Sequence, residues 1–562
     1  MGNGRSRKRP RPDGRRQPVQ ERLQPDADRA PGDVRSGSLA AFIGAHQGLS
    51  ADVPAGDRQP VATGAGVELR LDRLAAAIGC RVEPGAGELR IAAITFDSRQ
   101  AVPGSLFVAI AGTRVDGHDY IRQAVAAGAV AVVAQRPSAC PPGVVGLVVK
   151  DSRAALAQLA RCFHRRPDTQ LGLIGVTGTD GKTSTCSLLA HLLTNAGADC
   201  GLVTTAQLGV GGVLSPRSEH ETTPSALRVN ELLAEMVAAG DRWAVIEATS
   251  HALDQKRVDG LAFDLAVYTR ITHEHLEYHR TIDAYVAAKG RLAQLVDAAA
   301  EADDPGTLVL NAADPHTPTI TAGRRCRRIS YGQGVGDVQS RRERSGVRGL
   351  EFEVVTPWGR GKVQTPLRGR FNIENVLAAI AAGGAVGFDL EALIDGCRSF
   401  GGVAGRMQYV DRGQDFVVVV DYAHTPASLG AVLSELRKQT DGRLIAVFGS
   451  AGERDIEKRS LMGRVAAELA DFAVITDEDP RGESRDRIAS QIVFGLRQKD
   501  PTASFVVIHD RPQAVRYALS QARPGDVVAL LGKGHEKSII GPDGEVAYDE
   551  VEVAREALAG LA

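Results

Sequence analysis

A glycine-rich segment at residues 175–183 (GVTGTDGKT) carries the residue types that hold phosphate groups. It follows an apolar run at 171–176 and precedes a helix-forming run at 184–193, so we predict a strand, a tight turn and a helix. In such a turn backbone N–H groups surround phosphate oxygens, Lys182 reaches the outer phosphates, and the Thr183 hydroxyl can hold Mg²⁺. The general P-loop has glycine where this chain has Val176, and neighbouring glycines supply the flexibility instead. The segment predicts a variant nucleotide-binding loop.

Three other titratable side chains have ordinary structural explanations when each is taken alone. Glu247 closes a predicted strand and His279 lies in a polar loop, where such residues support structure more often than they bind metal. Lys289 lies in an alanine-rich helical run, where a lysine usually pairs with a carboxylate one turn away. The local pattern leaves the roles of all three open.

Short β-rich runs alternate with Ala/Leu-rich helical runs from residue 67 onward, a pattern that predicts α/β structure with parallel sheets. We predict strands at 106–110 and 129–133, with a helix at 120–127 between them. Later strands are predicted at 171–176, 243–247, 265–268 and 307–310, and then at 416–420, 444–448, 472–476, 505–508 and 527–531. Turn-forming residues at Arg166-Pro167-Asp168 and Gly401-Gly402 predict domain boundaries, which divide the chain into domains at 65–168, 169–400 and 401–562.

The composition excludes several classes of protein. The 562 residues hold 67 Lys and Arg against 68 Asp and Glu, so there is no uniformly basic field for nucleic acid. No apolar run is long enough for a membrane helix. The 7 cysteines form no Cys-x-x-Cys pair, which favours a reducing cytoplasm over a disulfide framework. Residues 1–64 lack apolar periodicity and carry a basic stretch at 5–16, so we expect a disordered tail.

The glycine-rich loop resembles the ATP loop of the Mur ligases, where asparagine usually stands at the position of Asp180. Further segments, in the order typical of the UDP-N-acetylmuramoyl-tripeptide synthetase branch, extend the resemblance over the chain after the tail. They are 97–99 (DSR), 103–107 (PGSLF), 116–118 (DGH), 222–224 (TTP), 247–257 (EATSHALDQKR), 273–279 (HEHLEYH), 287–289 (AAK), 311–315 (NAADP), 369–375 (GRFNIEN), 405–407 (GRM), 421–426 (DYAHTP), 452–455 (GERD), 479–481 (DPR) and 532–536 (GKGHE).

The resemblance implies a three-domain architecture with a central P-loop ATPase-like parallel sheet and a Rossmann-like C-terminal domain. It implies an ATP-dependent ligase of the cytoplasmic stage of peptidoglycan synthesis, which joins a diamino acid to the D-glutamate γ-carboxylate of UDP-MurNAc-L-Ala-D-Glu through an acyl phosphate. We expect ATP and Mg²⁺ as cofactors, a monomer, and neither nucleic-acid binding nor membrane insertion.

The same resemblance implies residue roles. Catalysis falls to Lys182, Glu247, His279 and Lys289, and metal binding to Thr183, Glu247, His279 and Lys289, with Lys289 carbamylated to N6-carboxylysine. A carbamate would add anionic oxygens beside Mg²⁺, and its formation requires a neutral amine with a lowered pKa. The residues expected to contact ATP are Gly178, Thr179, Asp180, Gly181, Lys182, Thr183, Ser184, Asn311, Asp314, Arg406, Asp421 and His424.

Substrate contacts follow from the remaining motifs. The UDP-MurNAc-dipeptide is expected at Ser98, Thr222, Thr223, Thr249, Gln255 and Arg257, and the amino acid at Arg454, Glu478, Asp479, Pro480, Arg481, Gly532 and Glu536. The chain departs from the family at Ala404, where proline is usual, and at Ala313, where an Asp pair is common. Both departures could loosen local geometry without removing a functional group.

Two residues give opposite indications about the incoming amino acid. Enzymes of this family that add meso-diaminopimelate usually carry Asp-Asn-Pro-Arg where this chain has Glu478, Asp479, Pro480 and Arg481. Arg481 could hold the distal carboxylate of diaminopimelate in a bidentate fork. Asp479 would repel that carboxylate and attract the ammonium of lysine or ornithine. We therefore rank meso-diaminopimelate slightly above lysine and ornithine.

Other functions remain open at this point. The DSR segment at 97–99 and the GKGHE segment at 532–536 argue against another ligase of the superfamily, of the folylpolyglutamate or cyanophycin type. A noncatalytic scaffold that binds peptidoglycan precursors would not need the charges of Lys182, Glu247 and Lys289, nor the imidazole of His279.

Overall fold

The computed structural model describes residues 68–112, 115–137, 140–217, 221–272, 274–301, 304–346 and 349–561. The predicted tail at 1–64 lies outside the described residues. Within them, strands and helices alternate and form mostly parallel sheets, as the sequence pattern predicted. No helix of the described part is both long and apolar enough to cross a membrane.

The N-terminal sheet is parallel, in the order β3 (Ala93–Thr95), β4 (Ser105–Val108), β5 (Ala129–Ala134) and β6 (Val145–Val148). An antiparallel pair, β1 (Leu69–Arg70) and β2 (Arg90–Ile91), precedes it. The helices are α1 (Leu71–Ala77), α2 (Ile121–Ala126) and α3 (Ser152–Phe163). Alternate residues of β4 and β5 pack against α1 and α3 in one buried cluster, and the residues between them pack against α2 in a second cluster.

The central sheet has parallel strands in its middle and antiparallel strands at both ends. Its order is β10 (Val213–Pro216), β9 (Gln207–Val210), β8 (Cys200–Val203), β11 (Trp243–Glu247), β7 (Gly172–Thr177), β12 (Leu265–Tyr268), β13 (Thr307–Asn311), β14 (Arg327–Gln333), β15 (Val338–Gly346), β16 (Gly349–Thr356) and β17 (Gly359–Thr365). The antiparallel strands β15 to β17 were not predicted. β15 and β17 are largely polar and β16 alternates apolar with polar residues, so none has the continuous apolar run of a buried parallel strand.

Helices cover the central sheet. They are α4 (Lys182–Asn195), α5 (Ala226–Ala239), α6 (Ser250–Asp254), α7 (Leu276–His279), α8 (Ile282–Ala299), α9 (Thr317–Thr321), α10 (Phe371–Ala385) and α11 (Leu390–Ser399). Every residue of β7 is buried, and β7 lies between β11 and β12. Register pairs Glu247 with Val176 and Tyr268 with Thr177, so these strands end together at the edge where α/β sheets bind ligands.

The C-terminal sheet has the order β18 (Gln408–Tyr409), β19 (Val417–Asp421), β23 (Val527–Leu531), β20 (Leu444–Phe448), β21 (Phe472–Ile475) and β22 (Phe505–Val507), with only β18 antiparallel. A hairpin, β24 (Ser538–Gly541) and β25 (Gly544–Ala547), follows. The helices are α12 (Pro426–Arg437), α13 (Glu457–Leu469), α14 (Arg485–Lys499), α15 (Arg511–Ser520) and α16 (Glu550–Ala559). The segments 422–424, 477–481 and 532–536 all follow the carboxyl ends of parallel strands, so the sheet brings them to one edge.

Candidate active site

The glycine-rich loop adopts the predicted strand, turn and helix. Gly178 and Gly181 have φ of +148° and +86°, a region that favours glycine. A Cβ at Gly178 would lie 1.8 Å from Thr269 Oγ1, and one at Gly181 would lie 2.4 Å from Asn375 Oδ1. Backbone conformation and close packing therefore both require glycine at these two positions, which fixes the loop at the N-terminus of α4.

Two oxygen-bearing side chains meet beside this loop. Thr183 Oγ1 donates to Glu247 Oε2 at 3.0 Å, and the Thr205 N–H donates to the same carboxylate oxygen at 3.0 Å. Both Thr183 and Glu247 are buried. Lys182 begins α4, and its Nζ donates to the Thr179 carbonyl at 2.6 Å. A hydroxyl beside a carboxylate offers the oxygen ligands that Mg²⁺ prefers.

Lys289 reaches the same loop from α8. Its Nζ donates to the Gly178 carbonyl at 2.6 Å and lies 4.4 Å from the centre of the Tyr285 ring, one helical turn away. The side chain is 1% exposed. Burial, reinforced by the charge of Lys182, lowers the pKa of Lys289 well below its ordinary value. The lysine predicted to react as a neutral amine therefore lies in surroundings that favour that form.

Glu274 is a functional candidate that sequence reasoning missed. His275 Nε2 and His424 Nε2 each lie 3.8 Å from its carboxylate, and the Tyr285 hydroxyl lies 3.4 Å away. Burial alone would raise the pKa of Glu274, but the positive charges of His275 and Lys182 outweigh it and lower this pKa to about 2. Its place in the HEHLEYH segment was the available signal.

His279 ends α7 within a group of aromatic rings. Its ring centre lies 5.3 Å from that of Tyr285, 4.8 Å from Tyr278 and 5.6 Å from His251. His279 is buried and shares Tyr285 as a neighbour with Lys289. Among the described residues, no three His, Cys, Asp or Glu side chains form a group that could hold a metal ion. The metal role of His279 stays a prediction.

Two predicted ATP contacts lie at the end of β13 and just after it, beside the loop. Asn311 Nδ2 donates to Glu374 Oε2 at 3.1 Å, while the Asp314 carboxylate accepts from the N–H groups of Ile271 and His316 at 2.6 and 2.8 Å. Asp314 therefore fixes the backbone on this side of the loop.

The C-terminal sheet contributes Arg406, Asp421 and His424. Arg406 Nη2 donates to Thr183 Oγ1 at 3.2 Å. Asp421 accepts from the N–H groups of Met407 and Ala423 at 2.7 and 2.8 Å, which holds the segment carrying Arg406. Burial, with the charge of Lys458, lowers the pKa of His424 to about 4. Arg406 thus makes a direct contact between this part of the chain and the nucleotide loop.

Three predicted threonines cluster behind Glu247. Thr223 Oγ1 donates to the Glu247 carbonyl at 2.7 Å and accepts from the Thr249 N–H at 3.1 Å. Thr205 Oγ1 donates to Thr222 Oγ1 at 3.1 Å. Hydroxyl groups predicted to contact the UDP-substrate thus adjoin the residues beside the loop.

The guanidinium of Arg257 is paired within the chain. Its Nη1 and Nη2 donate to the two oxygens of Glu221 at 2.7 and 2.9 Å, and Nη2 also donates to Gln255 Oε1 at 2.8 Å. Sequence analysis assigned Arg257 to the UDP-MurNAc-dipeptide and did not consider Glu221. On the N-terminal sheet, Ser98 Oγ donates to Gln123 Oε1 at 3.1 Å.

At the other side of the site, Asp479 is not the unpaired anion that the sequence suggested. Its Oδ1 accepts from Lys533 Nζ at 2.8 Å and from the Ile540 N–H at 3.0 Å. Lys533, which is 1% exposed, also pairs with Glu536 Oε2 at 2.5 Å. Lys533 was missed because nothing near it in sequence links it to Asp479. The charge of Asp479 is therefore offset within the protein.

Two neighbouring side chains keep buried atoms without a hydrogen-bond partner among the described residues, namely Glu478 Oε2 and Arg481 Nε. Glu478 lies against Gly532, whose added Cβ would be 3.7 Å from its carboxylate. Burial raises the pKa of Glu536 despite the charge of Lys533. Arg454 is exposed on the loop that follows β20. These atoms offer polar contacts to a ligand.

Comparison with known proteins decides the family. Residues 90–164 match the catalytic domain of the Mur ligase family, 176–383 the Mur ligase middle domain, and 405–534 the Mur ligase glutamate ligase domain. A UDP-N-acetylmuramyl-tripeptide synthetase of Roseiflexus sp. (strain RS-1) is 43% identical over 485 residues, which cover 84% of this chain and 95% of the relative. The chain belongs to the Mur ligase family.

Other comparisons agree with this Mur ligase assignment. A UDP-N-acetylmuramoyl-L-alanyl-D-glutamate–2,6-diaminopimelate ligase of Geobacillus kaustophilus (strain HTA426) is 40% identical over 474 residues, covering 84% of this chain and 96% of the relative. A solved structure of a ligase with that same name has a TM-score of 0.61 and 29% identity, covering 88% of this chain and 99% of that one. The predicted resemblance, the three-domain α/β architecture and the class of ATP-dependent ligase are confirmed.

The site of this Mur ligase has two ends. We call the loop 178–183 with Glu247, Glu274 and Lys289 the phosphate end. We call Glu478, Asp479, Arg481, Lys533 and Glu536 the amino-acid end. Arg406 bonds to the phosphate end from the segment that follows the predicted boundary at 400/401, and that boundary stays a prediction.

Proposed function

We propose that this chain joins meso-diaminopimelate to the D-glutamate γ-carboxylate of UDP-MurNAc-L-Ala-D-Glu in peptidoglycan synthesis. ATP transfers its γ-phosphoryl group to that carboxylate and leaves as ADP. The amine then attacks the acyl phosphate, and phosphate leaves as the amide forms. The proposal depends most on one observation, the hydrogen bond from Arg406 to Thr183. This bond joins the C-terminal sheet to the phosphate end. The names of the relatives support the same substrates.

The phosphate end supplies fixed positive charge. Phosphoryl transfer between two anions depends on positioning and charge stabilisation more than on covalent help. Lys182 and Arg406 bring cationic groups to the loop, whose backbone N–H groups bind phosphate oxygens at the start of α4. The adjacent oxygens of Thr183 and Glu247 fit Mg²⁺, which would neutralise developing charge on the phosphates.

Lys289 carries CO₂ as N6-carboxylysine in this proposal. The nitrogen of the neutral amine forms a bond to the carbon of CO₂ and loses a proton, so a neutral amine becomes an anionic carbamate. The lowered pKa of Lys289 supports the neutral amine that this step needs. The new carboxylate would add oxygen ligands for Mg²⁺ beside Glu274 and His279, in agreement with the preference of this ion.

The UDP-substrate lies between the N-terminal and central sheets, at Ser98, Thr222, Thr223, Thr249, Gln255 and Arg257. The hydroxyl cluster behind Glu247 supports this placement, because its hydroxyl groups adjoin the phosphate end, where the D-glutamate carboxylate has to react. Arg257 would exchange Glu221 for an anionic group of the substrate. A carboxylate already bound to the same fork supports its use for an anion.

The amino-acid end favours diaminopimelate over lysine or ornithine. Arg481 keeps Nε without a partner among the described residues and could bind the distal carboxylate. The argument for lysine or ornithine rested on a free Asp479, and Lys533 offsets that charge. Glu478 keeps Oε2 without a hydrogen-bond partner among the described residues and remains as an acceptor for an ammonium group. We propose action in the cytoplasm, where ATP and nucleotide sugars serve as substrates, and a monomer stays a prediction.

An ATP-consumption assay with product mass spectrometry tests the proposal. The protein is given UDP-MurNAc-L-Ala-D-Glu, ATP and Mg²⁺ with meso-diaminopimelate, lysine or ornithine. We expect ADP release to depend on the dipeptide substrate and kcat/KM to be highest for diaminopimelate. A preference of about tenfold for lysine or ornithine, equivalent to ~1.4 kcal/mol, would overturn the amino-acid assignment. Absence of ligation with all three would overturn the function and favour the scaffold alternative.

A further inference from the structure

Tyr422 lies between the two ends of the site. Its hydroxyl donates to Glu536 Oε1 at 3.1 Å, at the amino-acid end. The guanidinium of Arg406, which bonds to Thr183 at the phosphate end, lies 4.5 Å from the centre of the Tyr422 ring. One rigid side chain therefore contacts a carboxylate of one end and the arginine that reaches the other.

The ring of Tyr422 is held from several sides. The ring centres of His424 and His535 lie 4.7 and 5.0 Å from it. Gly534 approaches so closely that an added Cβ would lie 2.7 Å from the Tyr422 Cβ. A Cβ on Gly405, the residue before Arg406, would lie 2.1 Å from the His535 backbone nitrogen. These close approaches fix the ring between the segments that carry Arg406 and Glu536.

The contacts continue on both sides of the ring. On one side, Arg406 donates to Thr183, which donates to Glu247. On the other, Glu536 pairs with Lys533, which also holds Asp479. Burial and the neighbouring Glu536 raise the pKa of Tyr422 well above its ordinary value, so its hydroxyl remains a hydrogen-bond donor.

We propose that Tyr422 is a positioning residue that holds Glu536 and Arg406 in the orientations needed for the two successive steps of the reaction. The inference rests on the proposed function and adds a residue to it. The hydroxyl orients Glu536 for the incoming amine, and the ring face orients Arg406 for phosphoryl transfer. The two parts of one side chain therefore act on different steps and can be separated by substitution.

Two variants separate these parts, and a third serves as a matched control. Tyr422→Phe removes the bond to Glu536 and keeps the ring beneath Arg406. Tyr422→Leu removes both contacts. Tyr409 offers the control, because its ring lies 3.7 Å from the Arg368 guanidinium and its hydroxyl donates to Gln439 at 2.8 Å. Tyr409→Phe thus loses a tyrosine hydroxyl bond away from both ends, although its acceptor is an amide oxygen rather than a carboxylate.

Each variant is measured by KM for diaminopimelate, by kcat, and by trapping the acyl phosphate with hydroxylamine as a hydroxamate without amino acid. In Tyr422→Phe we expect KM for diaminopimelate to rise about tenfold, as for loss of a bond to a charged group. Its hydroxamate formation should stay within about twofold of the wild type. In Tyr422→Leu hydroxamate formation should also fall about tenfold, because the ring no longer holds Arg406.

The control Tyr409→Phe should change neither quantity by more than about twofold. An unchanged KM in Tyr422→Phe would overturn the inference. So would an equal fall of ligation and hydroxamate formation in that variant, the result expected of a purely structural role. If Tyr422→Leu does not fold, Tyr422→Phe still decides. A wild-type protein that forms neither hydroxamate nor amide would overturn the proposed function itself.

Discussion

The phosphate end and the amino-acid end are built by different means. At the phosphate end, glycines with positive φ and the register of β7 with β11 place Lys182, Thr183 and Glu247. At the amino-acid end, Lys533 pairs with Asp479 and Glu536 and decides which charges remain for a ligand. Backbone geometry fixes the first end, and side-chain ion pairs between distant segments fix the second.

This difference separates what each end does to the reaction. Substitutions at the phosphate end should abolish the reaction for every amino acid, because they act on activation of the carboxylate. Substitutions at the amino-acid end should change which amino acid reacts, or how tightly it binds, while activation continues.

Lys182→Ala should have the largest effect. It removes a fixed charge from the phosphates, and groups of this kind typically contribute about 10³-fold or more to phosphoryl transfer. Steady-state ADP release with diaminopimelate, lysine and ornithine measures the loss, which we expect to be alike for all three. Near-normal turnover would mean that the nucleotide loop is assigned wrongly.

Lys289→Ala should lower Mg²⁺-dependent activity by about 10²-fold, a loss typical of removing an electrostatic contact made in the transition state. Short carboxylic acids added to the assay should restore part of it by occupying the space of the carbamate. Intact-protein mass spectrometry with and without CO₂ provides a second readout. A fully active Lys289→Arg enzyme would exclude the carbamate.

Asp479→Asn tests whether the paired carboxylate reads the amino acid. Because Lys533 offsets its charge, we expect kcat/KM to fall by about fivefold for all three amino acids alike, as when a charge-assisted bond is replaced by a neutral one. Their ranking should stay the same. A selective gain for diaminopimelate would show that Asp479 acts directly on the substrate and would weaken the contrast between the ends.

Glu221→Gln should have the smallest effect of these substitutions, and it should strengthen binding of the UDP-substrate instead of weakening the reaction. Glu221 is 56% exposed, and exposed ion pairs contribute about 1 kcal/mol or less. Weakening its pair with Arg257 should lower KM for the UDP-substrate by up to about fivefold. Glu231→Gln, which weakens the exposed pair with Arg228, serves as the control. An increase in KM would indicate that Glu221 helps to bind the substrate.

The sequence predicted more of the phosphate end than of the amino-acid end, because it shows local patterns but not contacts between distant residues. The predicted strands lie within a residue or two of the observed ones, since continuous apolar runs define them, and 243–247 is found as Trp243–Glu247. The buried strand β8, which is parallel to β11, was not predicted, because its apolar run is short and contains Gly201. The loop and its lysine follow from spacing within nine residues. Asp479 was misjudged because its partner, Lys533, is 54 positions away. Glu221 was missed because a carboxylate in a polar segment gives no signal of its partner, and Glu274 was missed although it lies in the HEHLEYH segment that supported the resemblance.

Hydroxamate formation in two single variants tests the separation of the two ends most directly. UDP-MurNAc-L-Ala-D-Glu, ATP, Mg²⁺ and hydroxylamine are mixed with Lys182→Ala or Arg481→Ala protein, and ligation of diaminopimelate is measured in parallel. Arg481→Ala should form hydroxamate within about twofold of the wild type while its kcat/KM for diaminopimelate falls about 10²-fold. Lys182→Ala should form neither product. Loss of hydroxamate in Arg481→Ala, or its persistence in Lys182→Ala, would contradict the account.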